Sequence, residues 1–259
     1  MTDLEKQPFT AHLEELRSRL IKSFIAVTIG FLLSYFFKEK IFEILTLPLI
    51  KVMNPGDHLI YTNLPEAFFT FLKAAFISGI MVASPYLLYQ FWMFVAPGLY
   101  DKERRMVLPV LFLSTLFFLG GALFGYFVVF PLGFEFFLSF ASDNIRPMPS
   151  MKEYLGFASK LLLAFGVAFE LPLVLTFLAR LGIVSVDMLK RYRKYAILLF
   201  FVGAAILTPP DVVSQVLMAV PMMLLYELSI FGARIFGRKK ELAEDTEEEP
   251  QAAATDGGE

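Results

Sequence analysis

Residues 154–178 read YLGFASKLLLAFGVAFELPLVLTFL, with Lys160 and Glu170 as the only ionisable side chains apart from Tyr154. As a helix rising 1.5 Å per residue, such a run reaches roughly 37 Å. The hydrocarbon core of a bilayer is about 30 Å thick, so the run is long enough to cross it. Glu170 lies eight residues before Leu178, about 12 Å in from that end.

Working outward, five further apolar runs flank this one: Leu20–Phe37, Phe68–Val95, Val107–Leu138, Tyr195–Leu207 and Val212–Phe236. The expected fold is an all-α membrane protein with six transmembrane helices. Composition agrees: 57% of the 259 residues are hydrophobic and 19% charged, where a soluble domain carries roughly 45–50% and about 25%. The Tyr195–Leu207 run would rise only about 20 Å. It reads either as a re-entrant or interfacial segment or as a short span that thins the bilayer. The short span is preferred because basic clusters lie beyond both ends of the pair it forms with Val212–Phe236.

Lysines and arginines set the orientation. Lys6, Arg17, Arg19 and Lys22 stand at the entry to the first run, and Lys102, Arg104 and Arg105 follow the second. Arg180, Lys190, Arg191, Arg193 and Lys194 follow the fourth, and Arg234, Arg238, Lys239 and Lys240 close the sixth. These are sixteen of the 23 basic residues, all on one side, so both termini are expected in the cytoplasm. Residues 1–19 form an amphipathic entry helix striped by Leu13, Leu16 and Leu20, and residues 20–236 the membrane domain. Residues 237–259 form a basic, then acidic tail too poor in large apolar residues to pack. Met1 to Gln7 lack a basic leader segment, so no cleaved signal peptide is expected. Two outer loops are expected, Lys38–Ala67 and Ser139–Glu153. Asp211, after Thr208-Pro209-Pro210, is placed to cap the sixth helix.

Chemistry is sparse. There is no cysteine, His12 and His58 fall outside the apolar runs, and neither H-E-x-x-H, G-x-S-x-G nor a phosphate-binding G-x-x-x-x-G-K-[ST] loop occurs. No catalytic residue, metal site, cofactor or nucleic-acid partner is expected. Ionisable groups inside apolar runs are costly and point to function. Lys73, Glu135, Lys160 and Glu227 lie near run ends, from which they can reach the interface. Glu170 does not. It is either a protonated or water-solvated carboxyl bonded within the bundle, or a polar contact for another helix or the floor of a wet cavity. Glu15 and Glu103, read from composition, are solvated charges paired with nearby arginines.

Five motifs go further: His12-Leu13-Glu14-Glu15-Leu16-Arg17-Ser18-Arg19-Leu20, the stretch Gln90 to Leu99, Glu103-Arg104-Arg105, Phe169-Glu170-Leu171-Pro172 and Leu207-Thr208-Pro209-Pro210-Asp211. In this order, over residues 8 to 236, the chain resembles the TatC family, the multi-spanning subunits of twin-arginine protein translocases of the bacterial inner membrane. The resemblance implies a concave bundle with short fifth and sixth helices that receives folded cargo through a signal peptide bearing consecutive arginines. Glu15 and Glu103 match the family positions that bind those arginines, and Phe94, Pro97 and Leu99 would wall the pocket. Arg17 and Arg19 would orient the carboxylates or meet phosphate headgroups. A planar guanidinium pairs bidentately with a carboxylate, and lysine cannot reproduce that fork. Glu170 matches a position that meets the single helix of a TatA- or TatB-like partner. Pro48 and Asp211 match positions that shape the outer cap. Self-association within the translocase and use of the proton-motive force are implied as well. A secondary transporter or membrane scaffold is the alternative. A transporter, however, usually carries internal repeats and more than one intramembrane polar site, and neither is visible in the sequence.

Overall fold

The computed structural model describes residues 9–54, 56–95, 107–142 and 146–237. Among them the regular structure is helical, apart from an isolated parallel bridge between Ile60 and Ser150. The helices are α1 (Phe9–Tyr35), α2 (Lys38–Ile50), α3 (Leu64–Val95), α4 (Val107–Phe124), α5 (Phe130–Leu138), α6 (Met151–Phe169), α7 (Leu171–Arg180), α8 (Val186–Leu207) and α9 (Val212–Phe236), with a π-helical turn at Gly125–Val129 joining α4 to α5. Four rods are long and apolar enough to cross a membrane: Leu64–Val95, Leu108–Leu138, Met151–Arg180 and Val212–Phe236. Counting α1 with α2, bent 88° apart, as one span gives five. The protein is therefore a multi-pass membrane protein.

Small residues decide how the rods meet. Without a hydrophobic driving force in lipid, close backbone approach supplies the packing. α1 and α3 run antiparallel and touch at Gly30 and Gly79, where a Cβ on Gly30 would lie 2.5 Å from the Gly79 carbonyl oxygen. Gly121 of α4 leaves the same kind of room for the Phe165 carbonyl of α6, and Gly232 of α9 for Thr176 of α7. α1 packs on α3, the rods α3, α4 and α6 pack on one another, and α7 packs on α9 and α9 on α8.

Prolines behave as missing donors. Pro85 cannot donate to Met81, and the Ser84 hydroxyl donates to that carbonyl instead, at 2.7 Å. Pro48 leaves the Ile44 carbonyl, which receives the Tyr126 hydroxyl at 2.5 Å. Pro172 lies in the first turn of α7, just past the break at Glu170.

Three expectations need correcting. The stretch Lys38–Ala67 is not simply a loop: residues 38–50 are helical and α3 begins at Leu64. The helix survives Pro48 because Tyr126 satisfies the carbonyl that the proline leaves bare. The second expected loop is shorter too, since α6 begins at Met151, capped by Ser150. Nor is the sixth helix short, for α9 has 25 residues. Only the apolar part of α8 is brief, because Asp187, Lys190, Arg191, Arg193 and Lys194 occupy its first half.

The rod ends define two faces. On one, α1 begins, α3 ends, and the described basic clusters gather. On the other, the bridge between Ile60 and Ser150 ties two loops together, with Ile60 N–H donating to Pro149 and Met151 N–H to Ile60. Glu66, at the start of α3, completes that cap. Its carboxylate accepts from Ser150 Oγ at 2.7 Å, Thr62 N–H at 2.9 Å, Thr62 Oγ1 at 3.0 Å and Lys152 N–H at 3.3 Å.

Candidate functional site

On the basic face, the antiparallel run of α1 and α3 brings the start of one helix beside the end of the other. Glu15 and Arg19 are one helical turn apart, the spacing at which side chains meet. Arg19 Nε donates to Glu15 Oε1 at 2.9 Å and Arg19 Nη2 donates to the same oxygen. Arg19 Nη1 also donates to Gln90 Oε1 of α3 at 3.2 Å. One turn outward, the His12 ring stacks on Phe94 at 4.5 Å. Arg19 and Glu15 keep only 17% and 26% of their side-chain surface exposed, so the pair is partly shielded from water. Arg17 is exposed. Phe94 is brought within one helical turn of Glu15 by its stacking on His12, whereas Pro97, Leu99 and Glu103 lie outside the described residues.

Deeper in, the break between α6 and α7 presents Glu170. The carboxyl is buried, at 8% exposure. Its Oε2 accepts from Ser114 Oγ of α4 at 2.6 Å, and Ser114 in turn accepts from Trp92 Nε1 of α3 at 3.0 Å. The Trp92 ring packs edge-on against Phe177 of α7, 4.9 Å away. Three rods are thus tied through one carboxylate. Its second oxygen, Oε1, is buried with no hydrogen-bond partner among the described residues. A buried, half-satisfied carboxyl is a costly group, and in apolar surroundings the cost is greater.

The remaining candidates lie apart from both. Pro48 is buried in α2. Asp211 is the N-cap of α9 and accepts from Ser214 N–H at 2.7 Å. Beside it, Gln215 Nε2 donates to the Phe201 carbonyl of α8, closing the α8–α9 hairpin.

Sequence reasoning missed Gln90, Trp92 and Ser114 as site residues. Each is a polar side chain in an apolar run, and that is the signal that could have found them. It also missed Glu66, whose partners across the cap are 84 and 86 residues away.

Residues 11–221 match the family described as Sec-independent protein translocase protein (TatC). The chain belongs to the TatC family. The TatC protein of Desulforapulum autotrophicum is 63% identical over 252 residues, covering 97% of this chain and 93% of that one. The TatC of Escherichia coli K12 is 41% identical over 240 residues, covering 92% and 93%. A crystal structure described as the twin-arginine translocase receptor TatC superposes with a TM-score of 0.81 at 44% identity, covering 88% of this chain and all of the other. As a TatC-family member, the protein is a translocase component and not an enzyme.

Proposed function

We propose that this chain is the receptor subunit of a twin-arginine translocase, binding the paired arginines of a signal peptide on its basic face. That face lies in the cytoplasm of a bacterium, the chain crosses the inner membrane six times, and both termini are inside. The observation that carries the reading is the seat at Glu15. Its carboxylate already holds a guanidinium, that of Arg19, through two N–H groups, against a wall supplied by α3. A site that holds its own arginine in this way has the geometry to hold an incoming one. Glu103, from the segment after α3, supplies the second acceptor, with Phe94, Pro97 and Leu99 as the apolar wall. Arg19 then acts as the resident counter-ion that the peptide must displace or share.

Glu170 serves the same machine on a different surface. Its unpartnered oxygen is offered to a polar group on the single helix of a TatA- or TatB-like subunit, docked beside the short apolar part of α8. Energy enters from the proton-motive force.

Peptide binding to the detergent-solubilised chain tests the receptor role. A twin-Arg peptide should bind more tightly than its twin-Lys form. Glu15→Ala or Glu103→Ala should erase that preference and weaken twin-Arg binding by about tenfold or more. Equal binding of both peptides, unchanged by either substitution, would refute the pocket.

A further inference from the structure

A cleft of about 660 Å³ opens on the face opposite the basic clusters, where α3 and α6 begin, lined among others by Leu64, Glu66, Phe69, Lys73, Lys152 and Leu155. Its cations are unusually placed. Lys73 lies nine residues into α3, roughly 13 Å along its axis. Its Nζ stands 3.6 Å from where a Cβ on Gly156 of α6 would be, so the missing side chain gives the ammonium its berth. Lys152 and Lys160 stand one turn to either side of Gly156, on the same flank of α6. Helical side chains lean toward the N-terminus, so Lys160 leans toward that berth.

Lys73 and Lys152 thus line the cleft where two apolar rods meet, and Lys160 stands two turns beyond Lys152 on the same flank. None of the three forms an ion pair among the described residues. The Glu66 carboxylate lines the same cleft, but its oxygens accept from backbone and hydroxyl donors and form no ion pair with the lysines, which outnumber it. Along α3, the exposed rings of Phe69 and Phe76 flank Lys73, Phe69 one turn outward and Phe76 about one turn inward.

We propose that this cleft binds the phosphate of an anionic phospholipid, with the headgroup between Lys73 and Lys152, Lys160 adding charge from below, Phe69 against the glycerol backbone and an acyl chain passing inward along Phe76. Three lysines without an ion pair among the described residues favour an anion, and the volume exceeds what a bare phosphate fills. A diester phosphate on a glycerol backbone, with apolar tails, matches both the charge and the flanking rings.

The test uses the full chain in detergent, with phosphatidylglycerol, phosphatidylcholine or inorganic phosphate added. Retained lipid is counted by native mass spectrometry and thermal unfolding is followed in parallel. Phosphatidylglycerol should be retained and should raise the melting temperature. The Lys73→Gln/Lys152→Gln double variant should weaken retention by about tenfold, while Lys73→Arg/Lys152→Arg should keep it. Twin-Arg peptide binding, unchanged in both variants, controls for folding and is independent of the lipid site. Equal retention by the glutamine variant, no preference over phosphatidylcholine, or equal protection by inorganic phosphate would each overturn the assignment.

Discussion

Glu66 and Glu170 are buried to nearly the same degree, at 6% and 8% exposure, yet their surroundings are opposite. Glu66 sits where two loops meet and accepts from Thr62, Ser150 and Lys152 through both oxygens. Glu170 sits at a helix break between apolar rods, accepts one hydroxyl, and has one oxygen without a partner among the described residues. Burial alone therefore does not mark a working carboxylate. The first is a staple with both oxygens engaged, and the second keeps one oxygen without a partner among the described residues.

Substitutions can break this contrast. Glu66→Ala should have the largest effect on folding, since it strands several donors at once. The thermal midpoint should fall by roughly 5 °C or more, and an unchanged midpoint would mean that the cap does not depend on it. Ser114→Ala removes one hydroxyl from the Trp92–Ser114–Glu170 chain and should cost about 1 kcal/mol in denaturant unfolding. Glu170→Gln keeps an acceptor for Ser114 and should cost less than about 1 kcal/mol. Crosslinking to a TatA- or TatB-like helix should nevertheless fall with Glu170→Ala while signal-peptide crosslinking persists. Unchanged partner crosslinking would leave Glu170 as an internal bond like Glu66.

The same contrast explains what could be read from the sequence. The limits of α9 coincide with the apolar run Val212–Phe236, and Asp211 at its head is the cap, because both depend on neighbours in sequence. Glu15 with Arg19 is equally local. Glu170 stood out by its depth in an apolar run, but Ser114 is 56 residues away and Trp92 belongs to another helix. α2 went unread as a helix because Lys38, Glu39, Lys40 and Glu43 interrupt its apolar pattern and Pro48 looks like a breaker. The hydroxyl that repairs it, on Tyr126, comes from 82 residues away. Properties carried by spacing were legible, while those that needed a distant donor were not.

The bare contact between Gly30 and Gly79 also has a mechanical consequence. With backbone against backbone, the crossing cannot be compressed, so any tilt of α1 against α3 would turn about that point. Glu15 lies fifteen residues to one side of Gly30 and Tyr35 five residues to the other, arms of roughly 22 and 8 Å. The helix is thus an unequal lever with its long arm at the Glu15 seat. A 3 Å swing there displaces the elbow to α2 by about 1 Å, so one end can give way to a visitor while the other stays nearly still.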